Sequence, residues 1–212
     1  MENSWFRLEE ALLSMDRVFC RSFLQQAVEE DGLAGLERMV GPALTDIGNR
    51  WEAGELALTQ VYMSGRICED LLGELCPRAG TPSPNAPRIG VAVFLDHHQL
   101  GKRIVMAALR AGGFQVVDLG QGLGVEELAM KARQGRISIL MVSVLMLSSA
   151  LHLKELRAAL GDEPDRPQLV VGGAPFRFYP ELWREVGADA VGVTGVDAVS
   201  IAQRILEESC AR

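Results

Sequence analysis

Between residues 77 and 87 the chain reads Pro-Arg-Ala-Gly-Thr-Pro-Ser-Pro-Asn-Ala-Pro, four prolines in eleven residues. Proline fixes φ and lacks the amide that a helix or a ladder needs, so neither a helix nor a central strand runs through such a stretch. The chain is therefore expected to fold as two halves joined by a linker at 77–87, and its apolar residues keep a different period in each. Upstream they recur at helical spacing: Phe6, Leu8, Leu12 and Leu13, then Phe19, Phe23, Leu24 and Ala27, then Leu33, Leu36, Met39 and Val40, and finally Val61, Met63, Ile67, Leu71, Leu72 and Leu75. That pattern predicts four helices with short loops, a four-helix bundle over residues 1–76. Downstream, short β-branched runs at 88–95, 114–119, 137–143, 167–172 and 188–193 alternate with helix-length amphipathic stretches near 100–112, 124–135, 149–160, 178–187 and 196–208. Such alternation implies right-handed crossovers and a parallel sheet covered on both faces. The expected class is α/β: the N-terminal bundle followed, over residues 88–212, by a flavodoxin-like (Rossmann-type) doubly wound five-stranded sheet in strand order 2-1-3-4-5.

Charge and punctuation exclude several functions. A formal net charge of −7 with no run of Lys or Arg argues against a nucleic-acid surface, which needs a basic stripe. No apolar stretch approaches the roughly 20 residues that span a bilayer. The start, Met-Glu-Asn-Ser-Trp-Phe-Arg-Leu-Glu-Glu, has neither the basic lead nor the apolar core of an export signal. The expectation is a cytoplasmic protein with no membrane partner. Cys20, Cys68, Cys76 and Cys210 form no C-x-x-C pair and read as free thiols of a reducing compartment.

In a doubly wound sheet, ligands bind beyond the carboxyl ends of the strands, at the switch between strands 1 and 3. The residues there are Asp96-His97-His98-Gln99-Leu100-Gly101 after strand 1, Ser143-Val144-Leu145 running to Ser149 after strand 3, and Gly172-Gly173 after strand 4. Gly120-Gln121-Gly122-Leu123-Gly124 follows strand 2. It lacks the spacing and position of a dinucleotide fingerprint and reads as a loop near a ligand. An extended Asp-x-His places Asp96 and His98 on one side and His97 on the other. A metal-bound imidazole commonly gives its second N–H to a carboxylate that fixes the ring, and Asp96 is placed for that role toward His98. One His and one Asp cannot complete a four-ligand zinc site. A metal needing a single protein ligand arrives inside a macrocycle, and haem and corrinoids both fit.

Asp96-x-His98-x-x-Gly101, Ser143-x-Leu145 and Gly172-Gly173 together resemble the D-x-H-x-x-G, S-x-L, G-G signature of cobalamin-binding domains that hold their cofactor base-off and His-on. The flanking Gly-Lys-Arg-Ile-Val (101–105), Val-Val-Asp-Leu-Gly (116–120) and the run 187–199 are similar to that family as well, and residues 47–72 look like the last two helices of the cap bundle that precedes this domain in methionine synthase and in corrinoid proteins of methyltransferase systems. The resemblance covers roughly residues 20 to 205.

The resemblance implies that His98 is the lower axial ligand of cobalt, with Asp96 its hydrogen-bond partner and Ser149 the outer member of a His-Asp-Ser relay. Gly101, Ser143, Leu145, Gly172 and Gly173 would line the slot for the displaced nucleotide tail. In the cap, Trp51 and Leu58 match residues that shield the upper face of the corrin, with Val61, Tyr62 and Met63 as neighbours. The chain departs from the family at Leu95, where Gly is usual, at His97, where a small or β-branched residue is usual, at Gln99-Leu100, in place of Asp-Ile, and at the 120–124 segment. The function implied is a corrinoid methyl-carrier subunit that works with partner methyltransferases and is not a complete enzyme alone. A cobalamin-based sensor is the alternative, though Thr59-Gln60-Val61-Tyr62-Met63-Ser64 lacks the Glu-His pair of such sensors.

Overall fold

A computed structural model describes residues 5–75, 87–163, 165–195 and 197–210. The chain divides into two compact units, 1–76 and 77–212. The linker expected at 77–87 lies outside the described residues except for Pro87.

The first unit is helical: α1 (Trp5–Leu13), α2 (Arg17–Glu52) and α3 (Leu58–Leu75). Asp16 opens α2 by accepting the Phe19 amide at 3.0 Å, as an N-cap does. α2 is long but not continuous, because Asp31 (φ −142°) and Gly32 (φ 60°, ψ −143°) leave helical geometry and break it into two segments. Only glycine enters that second region cheaply, so Gly32 sets where the break falls. The four helical stretches read from periodicity are thus all present, with two of them joined through Gly32. Leu8, Leu12, Leu24, Leu36, Ile47, Ile67, Leu71 and Leu72 are fully buried between them. Arg50 ties the unit's ends together, reaching Glu9 of α1 at 2.5 Å and Glu55, just before α3, at 3.2 Å.

In the second unit the described elements are β1 (Arg88–Phe94), α4 (Leu100–Ala111), β2 (Gln115–Leu123), α5 (Val125–Gln134), β3 (Ile137–Ser143), α6 (Leu147–Leu151), α7 (Leu153–Leu160), β4 (Gln168–Gly172), α8 (Ala174–Phe178), α9 (Leu182–Glu185), β5 (Ala190–Gly192) and α10 (Asp197–Cys210). The strands are parallel in the order β2-β1-β3-β4-β5, the order expected. Alternate strand residues bury on opposite faces. Ile89, Val91, Ile139 and Met141 pack with α4 and α10 on one face, while Ala92, Phe94, Leu140 and Val142 pack with α5, α7 and α8 on the other.

Three local expectations are corrected. The helix expected at 149–160 begins at Leu147 and is divided at His152, whose ring nitrogen Nδ1 lies 2.8 Å from the Ser148 carbonyl. A side chain bonding that carbonyl competes with the helical ladder for its acceptor. The helix expected at 178–187 is instead α8 and α9, split where Tyr179 (φ −126°, ψ 81°) precedes Pro180. Proline clashes with a helical conformation at the residue before it. The segment 120–124, expected as a loop, forms the end of β2 through Leu123 by way of two register shifts against β1. Gly120 (φ 113°) and Gly122 (φ 66°) carry the backbone through those irregularities.

Candidate functional site

Asp96 is the hinge of the site. It is 9% exposed, and its two oxygens serve two loops. Oδ1 accepts the His98 backbone amide at 3.0 Å, closing a turn from residue 96 to 98. Oδ2 accepts the Leu145 amide at 3.1 Å, so one carboxylate joins the loop after β1 to the loop after β3. The D-x-H and S-x-L motifs therefore meet at one side chain. Nδ1 of His98 stands 3.4 Å from Asp96 Oδ1, longer than a good hydrogen bond but with the imidazole already turned toward its acid. The rest of the ring is open, with the side chain 63% exposed and Nε2 without a partner among the described residues.

The other expected residues gather at the same sheet edge. Gly101 begins α4 against β3: a methyl group there would stand 3.0 Å from the Ser143 hydroxyl. At Gly172 it would meet the Gly192 carbonyl at 2.9 Å, and at Gly173 the Val144 carbonyl at 1.9 Å. The glycine pair is thus required by the protein's own backbone, apart from any ligand. Ser149 is buried on α6 but makes no hydrogen bond to Asp96, whose second oxygen is taken by Leu145. Leu95, Leu145, Met146 and Val193 are exposed apolar residues in the loops at the strands' carboxyl ends, and Leu147, the first residue of α6, is exposed as well.

In the helical unit, Trp51 lies at the end of α2, and Leu58, Val61, Tyr62 and Met63 lie in the first two turns of α3. Leu58 and Tyr62 are 63% and 65% exposed, Trp51 and Met63 are exposed as well, and Val61 is half-buried. The stripe is therefore an uncovered apolar surface of that unit and not part of its core.

Sequence reasoning missed two features. Lys102, next to Gly101, is only 3% exposed, and its ammonium reaches Asp118 Oδ1 and Oδ2 at 2.8 and 3.0 Å and the Gly120 carbonyl at 3.4 Å. The signal lies in two of the flanking runs, Lys102 in Gly-Lys-Arg-Ile-Val and Asp118, the one charge of Val-Val-Asp-Leu-Gly. The second feature is that His97 packs against Gly122, a contact between residues far apart in sequence.

Chemically, an open imidazole backed by a buried acid makes one good metal ligand. No cluster of three or more His, Cys, Asp or Glu occurs among the described residues, and His98 with Asp96 offers one imidazole and one carboxylate, fewer than the four ligands of a closed zinc site. The exposed apolar rim suits the face of a macrocycle, and at Gly101 the absence of a side chain lets α4 approach the Ser143 hydroxyl. Fold and site together form a ligand-binding edge at the carboxyl ends of a doubly wound parallel sheet.

A protein-family model for the B12 binding domain matches residues 88–202, and a second model of that description matches residues 6–75. Monomethylamine corrinoid protein 1 of Methanosarcina mazei is 30% identical over 214 residues, spanning 95% of this chain and 96% of that protein. A corrinoid protein of Desulfitobacterium hafniense is 28% identical over 209 residues, covering 94% and 95%. Among solved structures, the monomethylamine corrinoid protein of Methanosarcina barkeri superposes with a TM-score of 0.81 at 26% identity, over 94% of this chain and 96% of that one. The chain belongs to the B12-binding corrinoid proteins. Its cofactor is cobalamin or a related corrinoid. No helix among the described residues is long and apolar enough to cross a membrane.

Proposed function

We propose that this chain is a methyl-carrier subunit that binds its corrinoid base-off and His-on through His98. The observation that carries this reading is the Asp96 bridge: a buried carboxylate that closes the turn to His98, holds Leu145 and leaves one imidazole edge open. When bound, the corrinoid supplies a cobalt centre able to accept and release a methyl group.

The chain's own residues bind and orient. His98 would hold the cobalt through Nε2, and Asp96 would accept a hydrogen bond from Nδ1–H, fixing the tautomer and raising the basicity of the ring. Ser149 would be the outer group of this relay. Gly101, Ser143, Leu145, Gly172 and Gly173 would bind the nucleotide tail. Trp51, Leu58, Val61, Tyr62 and Met63 would supply an apolar cover that keeps water from the bound corrinoid. Partner methyltransferases would deliver and remove the methyl group, and the names of the relatives make monomethylamine the first donor to try.

The test begins with the full chain reconstituted with hydroxocobalamin and its absorbance spectrum. A His-on spectrum that His98→Ala converts to base-off, while His97→Ala keeps it, supports the assignment. The reverse pattern overturns it. Methyl transfer from monomethylamine or another simple donor to a thiol, dependent on added partner methyltransferases and on this chain, supports the carrier role. Preference for adenosylcobalamin with a change of oligomeric state on illumination would instead favour a sensor.

A further inference from the structure

The loop that carries the proposed ligand is tied to the irregular end of β2 in three places. The Leu95 amide donates to the Leu123 carbonyl at 3.1 Å, and the Gly122 amide donates to the Asp96 carbonyl at 2.7 Å. The third tie is a side chain. The His97 ring lies so close over Gly122 that a methyl group added there would stand 2.4 Å from Cε1, 3.0 Å from Nδ1 and 3.1 Å from Nε2. Real side chains do not approach to 2.4 Å, so the ring and any residue larger than glycine at 122 exclude each other. Gly122 also sits at φ 66°, in the left-handed region that glycine enters without strain.

These ties divide the work along the loop. The two backbone bonds hold residues 95 and 96, and the Asp96 carboxylate holds the amide of His98. Residue 97 stands between them: its own amide and carbonyl make no described hydrogen bond, and its ring is seated on Gly122. Two adjacent imidazoles on one exposed loop would otherwise compete for the same metal. With its ring engaged by β2, His97 is removed from that competition, and the turn that aims His98 is stiffened. We infer that His97 is a positioning residue for corrinoid ligation: seated on Gly122, it holds the Asp96–His98 turn and keeps the second imidazole out of the ligand position. The inference rests on the reading that His98 is the cobalt ligand.

The experiment uses the full chain reconstituted with cobalamin and reduced to its paramagnetic cobalt(II) state. Nitrogen hyperfine splitting in the electron paramagnetic resonance spectrum reports a bound imidazole, and absorbance titration gives the dissociation constant. His98→Ala is expected to lose the splitting; if the splitting survives, the underlying reading fails whatever happens at residue 97. Gly122→Ala expels the His97 ring and is expected to weaken binding by about tenfold, the lower end of what loss of an outer-shell partner costs. His97→Ala alone keeps the splitting but weakens binding by about threefold to tenfold, because the turn loosens. In His97→Ala/Gly122→Ala the methyl no longer meets a ring, so affinity is expected to match that of His97→Ala alone and not to fall by the product of the two single losses, a coupling the double-mutant cycle isolates. A double variant whose loss is the product of the two single losses, or a His97→Ala protein with unchanged affinity, overturns the inference. Melting of the cofactor-free variants separates binding from folding. Since His97→Ala only trims an exposed ring, its affinity decides the matter even where Gly122→Ala fails to fold.

Discussion

Leu95 holds φ at 59°, a region where a side chain carrying a Cβ crowds the following carbonyl at a cost of about 1–2 kcal/mol. It sits at the first step from β1 into the ligand loop, where the family more often has glycine. Leu95→Gly removes the strain but returns freedom to the unfolded chain, so stability is expected to stay level or rise by up to about 1 kcal/mol. Leu95→Val, branched at Cβ, is expected to lose about 1–2 kcal/mol. Urea unfolding midpoints of the cofactor-free chain check both. The Lys102–Asp118 pair predicts an asymmetry. The lysine is 3% exposed and the Asp118 side chain 45% exposed, so removing each partner strands a different group. Asp118→Ala leaves a buried ammonium with only the Gly120 carbonyl and is expected to cost about 3 kcal/mol, whereas Lys102→Met leaves a carboxylate that water can reach and costs about 1 kcal/mol. Equal losses would show that the ammonium finds water. At this scale Asp96, His98 and the glycines stood out by their spacing and by the family pattern it resembles, but the contact between Asp96 and His98 comes from a turn closed by the Asp96 carboxylate and not from the alternation of an extended chain. Leu95 and His97 were visible as departures, but the meaning of His97 depends on Gly122, which a linear reading cannot bring beside it.

Among the elements, the weakest ladder is β4–β5, paired at three positions, and Asp189 extends it. Its amide donates to the Leu169 carbonyl at 2.8 Å, its Oδ2 accepts the Leu169 amide at 2.7 Å, and both oxygens bind Arg166 at 2.7 Å. Burial acts to raise the Asp189 pKa, but the Arg166 hydrogen bonds and the Leu169 amide outweigh it and hold the carboxyl below the usual range. A depressed folded pKa means that the unfolded chain binds the proton more readily. The stabilisation is therefore complete above the ordinary carboxylate value of about 4 and is lost as pH falls from there through the folded value. Asp189→Asn is expected to cost about 2 kcal/mol at pH 7, with the gap to the parent chain narrowing below about pH 4. Denaturant unfolding at a series of pH values measures it, and a gap that does not change with pH contradicts the assignment. The strands themselves were legible because fully buried parallel strands read as unbroken apolar runs. The extension of β2 through Gly120 and Gly122 was not, because glycine in a sequence signals a turn unless a neighbouring strand is known to pair with it. The break at Tyr179 could have been taken from Pro180; the divide at His152 had no such marker.

For the whole molecule, two compact units imply two folding transitions in the cofactor-free chain. A ligand at one hundred times its dissociation constant adds about 2.7 kcal/mol to whatever binds it, a rise of roughly 10 °C for a unit of this size. Calorimetry with and without hydroxocobalamin is expected to raise both transitions, since the proposed ligand lies in one unit and the proposed apolar cover in the other. His98→Ala should lose most of the rise in the α/β unit. A helical transition that stays fixed would show that Trp51, Leu58 and their neighbours do not touch the cofactor. The division into a helical and an α/β half was legible from the change of period, and the strand order from the alternation of strand and helix.

The crowding at Gly173, where a methyl group would stand 1.9 Å from the Val144 carbonyl, bears on how tolerance to substitution should be interpreted in proteins of this kind. A library of variants sorted only by cellular abundance, with no cofactor supplied, should reject nearly every replacement at Gly173 while accepting many at His98. Intolerance at the glycine pair therefore reports the closure of the chain on itself, and cofactor dependence is to be sought at positions, like the proposed ligand His98, that a well-folded protein can lose without noticing.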